Sequence, residues 1–158
     1  MAWQLAQVNV ARLRAPIDSV QLERFVRELD PVNASAEAAP GFVWRLQTDE
    51  GNATSIRAFE WDVGDAPGII VNLSVWESVE HLSSFVNDVV HRTVLLQRSK
   101  WFERVREATT ALWWVPAGHV PTTDEAEQKL RDLRRLGPSS EVFDFRHRYD
   151  PPFDELST

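Results

Sequence analysis

An imidazole, several amides, a guanidinium and a set of indoles are the groups in this chain with the means to act on a small molecule. His91 follows Val89-Val90, and counting back three and four residues gives Asp88 and Asn87. On a helix that spacing lays a polar stripe beside an apolar one. His91 therefore sits at the edge of the buried face, as a surface residue, a charge at a helix C-terminus, a proton carrier or an axial ligand. Asn9 and Asn72 place amides inside the strand-like runs WQLAQVNVAR and IIVNLSVW. A buried amide without partners costs about 1–3 kcal/mol. Each must therefore bond its neighbours or hold a substrate carbonyl, phenol or bound oxygen species. Arg45 lies among apolar neighbours and, if buried, needs a carboxylate or a ligand. Trp44 and Trp76 either fill the core or line a pocket, and the adjacent Trp113 and Trp114 must point to opposite faces of one strand. His119 follows Pro116-Ala117-Gly118, on a loop of the kind that often mounts functional side chains.

Those groups are set in a chain of 158 residues whose 17 Lys and Arg against 24 Asp and Glu give a formal charge of −7. The acidic balance argues against a nucleic-acid or anionic-membrane partner. With no Cys there is neither disulfide framework nor thiolate chemistry. At 43% hydrophobic and 26% charged residues the composition is that of a globular domain, expected over residues 1–150 with a loose tail at 151–158. No apolar run reaches the roughly 18 residues of a spanning helix and no leader pattern is visible, so a cytoplasmic location is expected. Seven Trp and eight Phe against one Tyr suit a thick core, an interface or a pocket for a flat apolar ligand. There is no Gly-rich phosphate loop, no G-x-S-x-G and no H-E-x-x-H, and the four His are scattered.

Period-two alternation predicts strands at Trp3 to Arg12, Phe42 to Gln47 and Ile69 to Trp76, and Ala111 to Val115 reads as a short buried strand. In the second strand Phe42, Trp44 and Leu46 are expected to share a face. A helix capped by Asp18 or Ser19 carries Val20, Leu22, Phe25, Val26 and Leu29 up to Pro31, with a short second helix over Ala34 to Ala39. Ser78 caps a helix with Val79, Leu82, Phe85, Val86, Val89 and Val90, and the helical pattern resumes or continues through Leu95, Leu96, Trp101 and Phe102. Thr122 and Glu125 have the capping-box spacing before a helix that Gly137-Pro138 ends. Phe143 and Phe145 suggest a last strand. Thr48 to Gly68 is an excursion in which Ile56 to Trp61 forms a short strand or covers a pocket mouth. The order is β-α-β-β-α-β, an α+β, ferredoxin-like arrangement with an appended helix and strand. Its helices cover one sheet face, and because the strands are apolar on both parities, a second copy of the chain is expected to cover the other as a homodimer.

The strings LAQVNVAR, GFVWRLQT, NLSVWES before a helix, ALWWVPAGH and FDFRHR resemble the family known as domain of unknown function 3291. That family looks like part of the dimeric α/β-barrel superfamily, in which ferredoxin-like subunits pack sheet to sheet. The resemblance implies kinship with antibiotic-biosynthesis monooxygenases, which oxidise polycyclic aromatic substrates without metal or flavin, using Asn, Trp and Arg side chains between sheet and helices. It also implies a link to haem-degrading monooxygenases, whose first-strand Asn, third-strand Trp and helical His ligand correspond in order to Asn9, Trp76 and His91, with His91 about one helical turn early.

Three functions follow as expectations. The first is a monooxygenase-like enzyme acting on a flat, apolar, aromatic or polycyclic substrate, with His91, Asn9 and Trp76 catalytic and Asn72, Trp44, Arg45, Trp114 and His119 binding substrate. The second adds haem as cofactor, ligated by His91. The third is a non-catalytic domain that binds a hydrophobic small molecule.

Overall fold

A computed structural model describes residues 2–47, 58–90 and 98–152. The chain runs β1 (Trp3–Arg12), a 3-10 turn at Val20–Leu22, α1 (Glu23–Ala38), β2 (Phe42–Arg45), a 3-10 turn at Glu60–Asp62, β3 (Ile69–Trp76), α2 (Val79–Val90), α3 (Arg98–Trp101), β4 (Thr110–Pro116) and α4 (Thr123–Leu136). The strands form one open four-stranded sheet in the order β2-β3-β1-β4, and every neighbouring pair is antiparallel. This is an α+β architecture in which β1 and β3 hold the centre. No helix among the described residues is long and apolar enough to cross a membrane.

Side chains alternate across β1, so Ala6, Val8 and Val10 face one way and Leu5, Gln7 and Asn9 the other. The first face meets Val71, Leu73, Val75, Trp113 and Val115, all buried, and is covered by Ala126, Leu130 and Leu133 of α4 with Phe59 and Val142. The second face is covered by α1 and α2, where Leu5, Trp76, Leu112 and Phe143 pack against Ala36, Val79 and Leu82. With α4 the chain thus covers the sheet face that was expected to await a second copy. Of the adjacent indoles, Trp113 meets α4 rather than a partner sheet.

Local sequence explains most boundaries. Ser78 accepts a hydrogen bond from the His81 amide at 3.2 Å and so caps α2. Thr122 accepts from the Glu125 amide at 3.1 Å to cap α4, and Gly137, at φ 79, ends that helix.

Five expectations are corrected. Ser19 stands before the first turn with an extended backbone and makes no side-chain capping bond. Pro31 does not divide α1, which continues as one helix to Ala38; Pro31 itself is exposed, and Phe25, Leu29, Val32 and Ala36 keep packing on the sheet side. Phe42, Val43 and Trp44 contain a bulge: Phe42 pairs with Trp76 and Trp44 with its neighbour Val75, so Phe42 and Trp44 lie on opposite faces. Phe143 joins the β4 edge as an isolated bridge to Leu112 rather than as a strand. Finally, Phe59 and Trp61 pack on the α4 side in a turn, not in a strand, whereas Ile56 lies outside the described residues.

Candidate functional site

The helix-covered face is polar in its middle. Gln7, only 6% exposed, donates from Nε2 to Asn72 Oδ1 at 2.5 Å and to Ser74 Oγ at 2.7 Å. Ser74 Oγ in turn accepts from Trp76 Nε1 at 2.9 Å. Asn9, directly opposite Asn72 in the β1–β3 register, donates from Nδ2 to Thr110 Oγ1 at 2.7 Å. The β-pleat explains the grouping: Gln7, Asn9, Asn72, Ser74 and Thr110 share one parity across three paired strands.

Between this polar strip and α1 lies a cleft of about 210 Å³. Asn9, Asn72, Ala11 and Ile70 form its floor, Phe25, Leu29, Val32 and Asn33 its α1 wall, and Arg45 and Phe102 stand at its margins. Arg45 reaches the helix-covered face because the bulge restores its pairing with Ser74. Its Nε donates to Glu37 Oε1 at 2.7 Å, which supplies the carboxylate expected for a largely buried guanidinium. The cleft therefore presents amide groups and a paired guanidinium on one side and aliphatic and aromatic carbon on the other. Such a surface can align a ligand edge by hydrogen bonds while the helix removes its apolar body from water.

Three of the residues singled out by sequence, Asn9, Asn72 and Arg45, are brought together here. The others are not. Trp76 is 1% exposed, with its ring centroid 5.5 Å from that of Phe42 and 5.2 Å from that of Phe85, so it fills the core beneath α2. Trp44 packs on the opposite, α4-covered face. Trp114 shares the cleft's face but lies toward the chain's C-terminal segment, donating from Nε1 to the Tyr149 carbonyl at 2.8 Å. His119 is exposed beside α4, its Nε2 2.7 Å from Glu125 Oε1. His91 lies outside the described residues.

Sequence reading missed Gln7, Ser74 and Thr110. Their signal was present, since Gln7 sits two residues before Asn9 and Ser74 two after Asn72, on the same parity. It also missed the principal charged cluster. Asp62, 4% exposed, accepts from Arg12 Nη2 and Arg134 Nη1, each at 2.7 Å. Burial pushes the Asp62 carboxyl up, but the hydrogen bonds and positive charge of Arg134 and Arg12 outweigh it and hold the group below the usual carboxylate range. Glu127 accepts from the amide of Phe59, whose φ of 59 is left-handed, and from Trp61 Nε1, while the Arg131 guanidinium lies 4.4 Å from the centroid of the Trp61 ring. Asp62 is engaged on both oxygens by guanidinium groups, so this cluster clamps the 58–62 segment onto α4.

Among the described residues, no three His, Asp or Glu side chains are placed to share a metal ion. No curated protein and no solved structure matches the chain. Residues 4–157, in contrast, match the family model described as Domain of unknown function (DUF3291), and the chain belongs to that family.

Proposed function

We propose that the chain binds a small, flat, largely apolar molecule in the cleft between α1 and the sheet. One observation carries this reading: polar groups from three strands, Asn9, Asn72 and Arg45, meet there facing Phe25, Leu29 and Val32. The volume limits the ligand. A cavity of about 150 Å³ is enough for benzene, and at about 210 Å³ this cleft takes one or two fused rings, with anything larger reaching solvent.

The haem reading, which the family resemblance implied through His91, rests on a residue outside the described ones, and the cleft at about 210 Å³ is smaller than the ~300–1,000 Å³ of sites for drug-sized ligands.

A monooxygenase-like enzyme is the second reading. It is favoured by the presence of Asn and Arg side chains in the space between sheet and helices, two of the three side-chain types that the resemblance implies, the third, Trp, being absent from the cleft lining. In that chemistry the amides would stabilise a developing oxyanion and a base would remove the substrate proton. At the cleft margin the described carboxylate is Glu37, which is paired with Arg45, so binding without turnover needs fewer groups than catalysis does.

The strand order β2-β3-β1-β4 supports the ferredoxin-like reading of the fold. The dimeric barrel of the resembled superfamily would need α4 to leave the face it covers.

Calorimetric titration with one- and two-ring aromatic compounds tests the binding reading. For compounds bearing a carbonyl or phenol, saturable binding that falls at least tenfold in the Asn9→Leu, Asn72→Leu double variant is expected. Unchanged binding in that variant would remove the cleft as the site. Oxygen uptake in the presence of a bound phenol separates the enzyme from the binding protein.

A further inference from the structure

We infer that the cleft recognises a ligand edge carrying a carbonyl acceptor next to an N–H or O–H donor, as in a lactam. Asn72 supplies the donor, Asn9 the acceptor, and Gln7 is the positioning residue that sets Asn72. This inference rests on the cleft being the binding site and specifies its ligand class.

The polarity of Asn72 follows from its surroundings. The Gln7 atom facing it lies 2.5 Å from Asn72 Oδ1 and 3.5 Å from the Asn72 backbone carbonyl. A backbone carbonyl only accepts, so that atom of Gln7 is the amide nitrogen and the Asn72 atom it meets is the oxygen. The second Gln7 proton goes to Ser74 Oγ at 2.7 Å, and Ser74 is fixed as an acceptor on its other side by Trp76 Nε1, which can only donate. Gln7 is buried, and turning its amide over would place its oxygen against two other oxygens of Asn72. Asn72 is exposed and keeps its Nδ2 protons for the cleft.

Asn9 has the complementary arrangement. Its Nδ2 donates to Thr110 Oγ1 at 2.7 Å, so its Oδ1 is the group left to accept. Among the described residues neither Asn9 Oδ1 nor Asn72 Nδ2 makes a further hydrogen bond. The two residues are directly opposed across β1 and β3, where side chains on one face stand about 4.5–5.5 Å apart at Cβ. Opposed in this way, one amide can donate and the other accept along a single ligand edge, as the adjacent carbonyl and N–H of a cyclic amide require. A ligand that covers either amide without pairing it loses affinity, which is how such a site discriminates.

The test titrates the full chain with 2-quinolone, coumarin and naphthalene. These have nearly the same shape and differ in offering donor plus acceptor, acceptor only, or neither. Wild type is expected to bind 2-quinolone about tenfold more tightly than coumarin, and coumarin more tightly than naphthalene. In Asn9→Leu the gap between 2-quinolone and coumarin should close. In Asn72→Asp, which replaces the donor with an oxygen at an exposed position, both carbonyl compounds should weaken about tenfold while naphthalene is unaffected. Gln7→Leu should lower the ratio of 2-quinolone to naphthalene affinity, a ratio that a general loss of stability would not move. If wild type binds all three equally, or prefers coumarin, the edge assignment is overturned and the cleft remains a binding site. If none of the three binds, both the assignment and the binding reading fall.

Discussion

The two faces of the sheet are built from the same strands and end in different states. Toward α4, Val8, Val10, Val71, Leu73, Val75 and Trp113 are each no more than 3% exposed, and the polar groups there are held in pairs: Glu125 accepts from Trp113 Nε1 at 2.8 Å, and Asp62 from Arg12 and Arg134. Toward α1 the same strands carry Gln7, Asn9, Asn72, Ser74 and Thr110, and a cleft remains. The α2 end of that second face is again sealed, by Phe42, Trp76 and Phe85. Stability is thus concentrated on one face and at one end of the other, and the polar groups collect where packing is incomplete. A layer that carries little of the packing energy is free to hold amides in a fixed orientation.

That division implies a gradient of mutational cost. Leu130→Ala removes a fully buried side chain from α4 and is expected to destabilise the chain by about 3–4 kcal/mol in urea unfolding. A loss below about 1 kcal/mol would mean that α4 does not seal the face. The same seal predicts a monomer by light scattering at micromolar concentration, and a dimer would require another surface.

Asp62→Asn should cost about 3 kcal/mol, because it leaves Arg12 and Arg134 close together without their anion. Since the folded carboxyl titrates below its ordinary value of 3.8, its stabilisation is complete above that value and disappears as pH falls through the lower folded one. The difference between wild type and Asp62→Asn should therefore be constant from pH 5 to 7 and shrink in stronger acid. An unchanging difference down to pH 2 would contradict the ion-pair assignment.

On the polar face, Gln7→Leu should cost only about 1–2 kcal/mol, since Asn72 can turn to solvent and Ser74 keeps Trp76. Asn9→Leu should shift stability by less than about 1 kcal/mol while reducing ligand affinity. If Asn9→Leu instead proved as costly as Leu130→Ala, the amide would be a structural element of the core and the contrast between the faces would be false.

Much of this was legible in the residues. The alternation in Trp3 to Arg12 and Ile69 to Trp76 reproduces β1 and β3 with the observed limits, and the Ser78 and Thr122 caps lie where their spacing puts them. Half of the Thr122 motif behaves differently. The Glu125 side chain, instead of returning to the cap, binds Trp113 Nε1 and His119. Asn9, Asn72 and Arg45, which line the cleft, stand out in the sequence because they are polar groups inside apolar strands. Trp76 and Trp44 do not line the cleft, and the sequence could not show this because an indole serves a core and a pocket equally well and nothing in its neighbours along the chain separates the two. The bulge at Val43 also left no mark, since Phe42-Val43-Trp44 alternates normally and only pairing with Trp76 and Val75 reveals the extra residue.

Local rules were therefore sufficient for the elements themselves. Strand period, helix caps and the Gly137 stop depend on neighbours a few residues away, and those neighbours are written in the chain. Tertiary structure alone decided which body covers each face. The strands are apolar on both parities, and that pattern is satisfied equally by a second subunit or by α4. The choice fell to contacts between residues as far apart as Asp62 and Arg134, which bind the 58–62 segment and α4 to the same face. Pairing across strands likewise set Asn72 against Gln7 and Asn9, because hydrogen-bond direction is fixed by partners 65 and more residues distant in sequence.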